Sequence, residues 1–139
     1  MEFNKPLPGF IPNAGAPISL ATAEEWTANY RGEPLTDTEA NGRKRINAYY
    51  LGNELLSSIQ QQDGCVGLRF YMGLEKKQVD GHKKEDYQIM VVGVDKDGYD
   101  IIPRQNAEGK MLYENGIVGD GAQKCPSVCD ITSPLVSPI

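Results

Sequence analysis

The stretch Cys65-Val66-Gly67-Leu68-Arg69-Phe70-Tyr71-Met72 decides the fold. Val66, Leu68, Phe70 and Met72 alternate strictly, which places them on one face of a β-strand over residues 65–74. Cys65, Gly67, Arg69 and Tyr71 share the opposite face. Residues 75–86 are polar and predict a connection, and residues 87–94 predict a second strand. That strand is apolar on both faces, with Ile89 and Val91 on one and Met90, Val92 and Val94 on the other, as a strand covered on both sides would be. Asp95-Lys96-Asp97-Gly98 predicts a turn, and residues 99–102 predict a third strand ended by Pro103.

Working outward, residues 1–17 carry Pro6, Pro8, Pro12 and Pro17 and predict an extended arm, with Phe3, Leu7, Phe10 and Ile11 as anchors. Thr22 and Glu25 have the spacing of a capping box at the head of a helix over residues 22–31, stopped by Gly32 and Pro34. Residues 35–42 predict a loop. A second helix is predicted over residues 44–61, where Ala48, Tyr49, Leu51, Leu55, Leu56 and Ile59 fall within one arc of about 160°. Gly52 lies inside that arc, a position that costs about 1 kcal/mol against alanine. Residues 130–139 predict an extended tail. Together these give one α+β domain: two N-terminal helices, then an antiparallel β-meander of three to four strands, with the second helix across one sheet face.

Composition removes several function classes. The chain of 139 residues carries a formal net charge of −5, which opposes nucleic-acid binding, since phosphates need a basic stripe. The dense basic stretches are Arg43-Lys44-Arg45 and residues 76–84, and the second is interleaved with acids. No run approaches the about 18 apolar residues a membrane span needs, and the N-terminus lacks the pattern of a signal peptide. The default expectation is a soluble cytoplasmic protein with reduced thiols, an odd cysteine count leaving at least one thiol unpaired.

Chemistry-bearing residues are few. Cys125-Pro126-Ser127-Val128-Cys129 has the spacing of half a zinc site, which Cys65 and the single histidine, His82, would have to complete. The same pair could be a redox dithiol, with Lys124 favouring a thiolate at Cys125, although three residues intervene instead of two and no helix start follows. Asp95, Asp97 and Asp100 resemble a calcium loop only in part, because the glycine and glutamate of an EF-hand are out of place. Arg69 could hold an anion bidentately or pair with a neighbouring acid, and a ligand pocket, if present, is expected on the face of Cys65, Gly67, Arg69 and Tyr71.

Gly64–Gly73, Val91–Asp100 and the Cys-Pro-x-x-Cys segment together resemble blocks of a family of small uncharacterised bacterial proteins, over roughly residues 46–129. The resemblance implies a soluble bacterial domain and carries no catalytic residue with it. The sequence favours a non-enzymatic binding domain acting as a homo-oligomer, with no cofactor, no nucleic-acid or membrane partner and an unidentified small-molecule ligand. The alternative is a thiol-dependent redox or metal-binding protein using Cys125 and Cys129.

Overall fold

A computed structural model describes residues 5–40 and 45–137. The architecture is α+β, with helices in the N-terminal half followed by several antiparallel strands. In chain order the elements are α1 (Leu20–Gly32), α2 (Asp37–Ala40), β1 (Ala48–Tyr50), α3 (Asn53–Gln60), β2 (Gly67–Val79), β3 (His82–Val94), β4 (Arg104–Gln105), β5 (Met111–Leu112), β6 (Val118–Gly119) and β7 (Gln123–Cys125). The described chain gathers into two compact units. The first holds residues 5–14, Leu51–Gly73 and Gln88–Gly121; the second holds Gly15–Tyr50, Leu74–Tyr87 and residues 122–137.

The first unit is built on β3, the middle strand of the sheet β2-β3-β6. Val91, Val92 and Val94 are buried along it and form a core with Ile59, Tyr99 and Ile101. Helix α3 lies over this sheet: Leu55 closes on Gly119, and Ile59 closes on Gly93. Gln62 then ties the end of α3 to the chain before β6, accepting from the Ile117 N–H at 3.0 Å. The helix has only eight residues, so it leaves Phe70 and Met72, farther along the edge strand β2, 51% and 68% exposed. The alternating face read from the sequence is therefore covered only in part.

The expected strand 99–102 and the expected extended tail 130–139 differ from what forms. Residues 99–102 supply one bridge, Val94 to Asp100, and the lasting partner of β3 is β6, with Val91 opposite Gly119 and Val92 opposite Val118. The Asp95–Gly98 turn returns the chain through the bonds Asp95 N–H to Tyr99 O and Ile101 N–H to Gly93 O, and Pro103, which has no N–H, cannot extend that ladder. The tail forms turns over residues 131–136 in place of an extended run, since Asp130 and Ser133 side chains accept from the N–H groups of Thr132 and Leu135. Residues 138 and 139 lie outside the described residues.

The proline-rich segment is anchored on that same turn. The Leu7 N–H donates to Asp97 O at 2.8 Å, and the Tyr99 hydroxyl donates to Lys5 O at 2.8 Å. Gly98 has φ +96°, and its missing side chain makes room for Phe10. Phe3 lies outside the described residues.

The predicted helix 44–61 is the largest correction. Lys44 lies outside the described residues, and Ala48, Tyr49 and Tyr50 form β1, paired with Cys125, Lys124 and Gln123 of β7. Two successive tyrosines suit a strand, and a long-range partner overrides the helical period. Gly52 is the extended N-cap of α3 (φ −74°, ψ 159°), so it ends the strand instead of weakening a helix. Residues 75–86 are corrected as well. They continue β2 and β3 into a hairpin whose turn is Asp80-Gly81, both with positive φ (51° and 78°), as a two-residue primed turn requires.

In the second unit, α1 starts two residues earlier than expected, because Ser19 and not Thr22 is the cap, its hydroxyl accepting the Thr22 N–H at 3.1 Å. The capping box of this chain is Thr36-Asp37-Thr38-Glu39 instead, within the residues expected to be loop. Glu39 N–H donates to Thr36 Oγ1 at 3.2 Å, and Thr36 N–H donates to Glu39 Oε1 at 2.9 Å. Arg45 gathers this corner, donating to Glu33 O at 2.5 Å, Pro34 O at 2.7 Å and Glu39 Oε1 at 3.0 Å.

The Arg45 guanidinium, and next the Thr36 N–H, hold the Glu39 carboxyl at about 2 against an ordinary 4.5. A carboxyl lowered on folding contributes stability above its unfolded value and loses it as pH falls. Stability is therefore expected to decline from pH 4.5 toward about 2, and Glu39→Gln is expected to flatten that decline in acid titrations followed by circular dichroism. An unchanged slope in the variant would contradict the arrangement.

Candidate functional site

Strand β7 ends at Cys125, whose Cα lies opposite that of Ala48 and whose carbonyl accepts the Asn47 N–H at 2.7 Å. The pairing with β1 fixes Cys125. The chain then turns back, with the Val128 N–H donating to Lys124 O at 2.9 Å. This return sets the Cα atoms of Cys125 and Cys129 4.9 Å apart, and the two sulfurs are joined in a disulfide. The expectation of reduced thiols is thus corrected for this pair. Cys125 is 5% exposed, Cys129 is half-buried, and Val128 between them is 62% exposed. Asp130 follows Cys129 with its carboxyl held below the usual range, first by the Thr132 hydroxyl and then by the Thr132 N–H.

The disulfide removes the thiolates a metal would need. Among the described residues no three His, Cys, Asp or Glu side chains gather as a metal site. His82 is exposed at the start of β3. Cys65, the free cysteine, donates its S–H to Gly67 O at 3.2 Å.

Arg69 and Tyr71 do come together, on one carboxylate. Arg69 Nη1 donates to Asp100 Oδ1 at 2.5 Å and to Gly98 O at 3.0 Å, while the Tyr71 hydroxyl donates to Asp100 Oδ2. Burial disfavours the charge on Arg69, but the Asp100 carboxylate outweighs it and holds the guanidinium above its usual range. The same carboxylate raises Tyr71, chiefly through their hydrogen bond. Of the two sequence readings of Arg69, pairing with a neighbouring acid is the one in place. Cys65 does not join them: its sulfur sits with Gln62 and Ile59 around Gly93.

The calcium-like loop is a turn held by its own first residue. Asp95 Oδ1 accepts the N–H groups of Asp97 and Tyr99, each at 3.0 Å, and Oδ2 accepts the Tyr113 hydroxyl at 2.6 Å. Tyr113 was not legible as a partner. Its φ of +51° is rare for a bulky residue, and the bond to Asp95 helps to hold it there. Burial, then the bond to Asp95, push the Tyr113 hydroxyl up to about 12. Tyr113→Phe leaves a carboxylate oxygen without its donor and is expected to cost about 1.5–3 kcal/mol in urea unfolding. A loss within a few tenths would contradict that role for the bond.

Among the described residues no helix is long and apolar enough to cross a membrane. No protein-family model, curated protein or solved structure matches this chain.

Proposed function

We propose that this chain is a thiol–disulfide protein whose redox couple is Cys125 and Cys129. The observation that carries the reading is the bond itself: a pair spaced by three residues, closed at the end of a two-stranded ribbon. Reduction breaks the S–S bond and forms two S–H bonds. The two electrons and two protons come from an external dithiol or from two thiols, which leave as a disulfide. A ring of five residues restricts the unfolded chain little, by about 2 kcal/mol in the chain-entropy account, so the link is a modest staple. That suits a bond made to open and close.

A second reading, a binding domain that self-associates, draws on Phe70 and Met72, exposed on the edge strand β2. Lys76 and Lys77 farther along that strand oppose edge-to-edge pairing, and Arg69, the expected ligand anchor, is engaged by Asp100. The redox reading is the better supported of the two.

Thiol counting in native buffer tests it. The oxidised protein is expected to present Cys65 alone as a thiol, and mild reductant is expected to raise the count to three. A small disulfide then restores the first count, with the mass of the peptide spanning 125–129 falling by two hydrogen atoms. A pair that reduces only after denaturation would overturn the proposal.

A further inference from the structure

We infer that Cys129 is the sulfur attacked by an incoming thiolate, and that Cys125 is the leaving and resolving sulfur. This rests on the redox reading of the pair. Exchange needs direct access of a thiolate to one sulfur of the disulfide, so the more reachable sulfur takes the attack. The two residues differ in exposure. Cys125 is 5% exposed and fixed in β7 by its pairing with Ala48 and by the Asn47 N–H. Cys129 is half-buried in the turn after β7, between the exposed residues Val128 and Asp130.

The attack is written as follows. A low-molecular-weight thiolate forms a bond to Cys129 Sγ, the Sγ–Sγ bond breaks, and its electron pair goes to Cys125 Sγ. The Cys125 thiolate either takes a proton from solvent or attacks Cys129 Sγ and expels the thiol again. A second external thiolate, attacking the mixed disulfide, completes the reduction and leaves as the external disulfide. The position thus assigned is a thiolation site at Cys129 for small thiols, with Cys125 behind it to reverse the modification.

Trapping on the unaltered chain tests this. Native oxidised protein is mixed with limiting cysteamine, quenched within seconds by iodoacetamide, and digested without reductant. The expected result is cysteamine on Cys129 and the alkyl group on Cys125. Cysteamine on Cys125, or equal partition, would overturn the assignment while leaving the couple intact; a disulfide that excess cysteamine leaves closed, with neither adduct nor alkyl group on either sulfur, would overturn both. The variants C65S/C125S and C65S/C129S give a second readout with 5,5′-dithiobis(2-nitrobenzoate). The thiol left at Cys129 is expected to react at least about tenfold faster than the one left at Cys125, by the accessibility argument, and equal rates would overturn the assignment.

Discussion

Ile59→Ala is expected to destabilise the first unit by about 2–5 kcal/mol, the range for emptying a buried aliphatic site. Ile59 is fully buried on α3, and its Cγ2 would lie 3.3 Å from a Cβ added at Gly93. That proximity places the side chain directly on β3. The helix has eight residues, too few to be stable in isolation, so its register depends on this contact and on Leu55 over Gly119. Removing three carbons leaves a void that neighbours can close only by moving α3. Urea unfolding followed by circular dichroism gives the measurement, and a loss below about 0.5 kcal/mol would contradict the packing of α3 on the sheet.

Gly116→Ala is expected to cost about 3 kcal/mol, the upper end for overpacking a close-packed site. An added Cβ would overlap Ile101 O and stand 2.8 Å from both Ile101 C and Ile102 Cα. Each of these is a backbone atom, so no side chain can swing aside to relieve the overlap. The chain must pass close to Ile101 there because the segment 99–101 and strand β6 use the same side of β3 in succession. Gly67→Ala is the control, since nothing lies within 4 Å of its added Cβ. If both variants unfold at the same urea concentration as the parent, the crossing at Gly116 is wrong.

What the sequence allowed to be read follows the range of the interactions. The alternation at residues 66–72 and the two-sided apolar strand at 89–94 are local patterns, and β2 and β3 form there, with β3 in the middle of its sheet. Asp80-Gly81 was also local, a strong hairpin signal, but it sits among charged residues that read as a loop. Residues 48–50 could not be read locally. Their helical period is real, and the strand forms because Gln123–Cys125 arrives from about 75 positions away to pair with them. The caps divide in the same way: Thr22-x-x-Glu25 and Thr36-x-x-Glu39 have one pattern, and the reciprocal bonds form only at the second.

The candidate site divides similarly. The cysteine pair is legible because its members are four positions apart, whereas its closure depends on the turn after β7. Arg69 and Tyr71 were legible as a pair on one strand face, but Asp100, which occupies both, arrives through the Asp95–Gly98 turn.

The central claim is that Cys125 and Cys129 form a reversible couple in the folded protein. Its most direct measurement is an equilibrium titration of the native chain in thiol–disulfide buffers of graded potential, read by the mass of the alkylated protein. The account predicts a two-electron transition, the same from either direction, with a midpoint above about −300 mV, the level below which structural disulfides resist cellular thiols. A pair that stays bonded below that potential, or that once reduced does not close again, would contradict it.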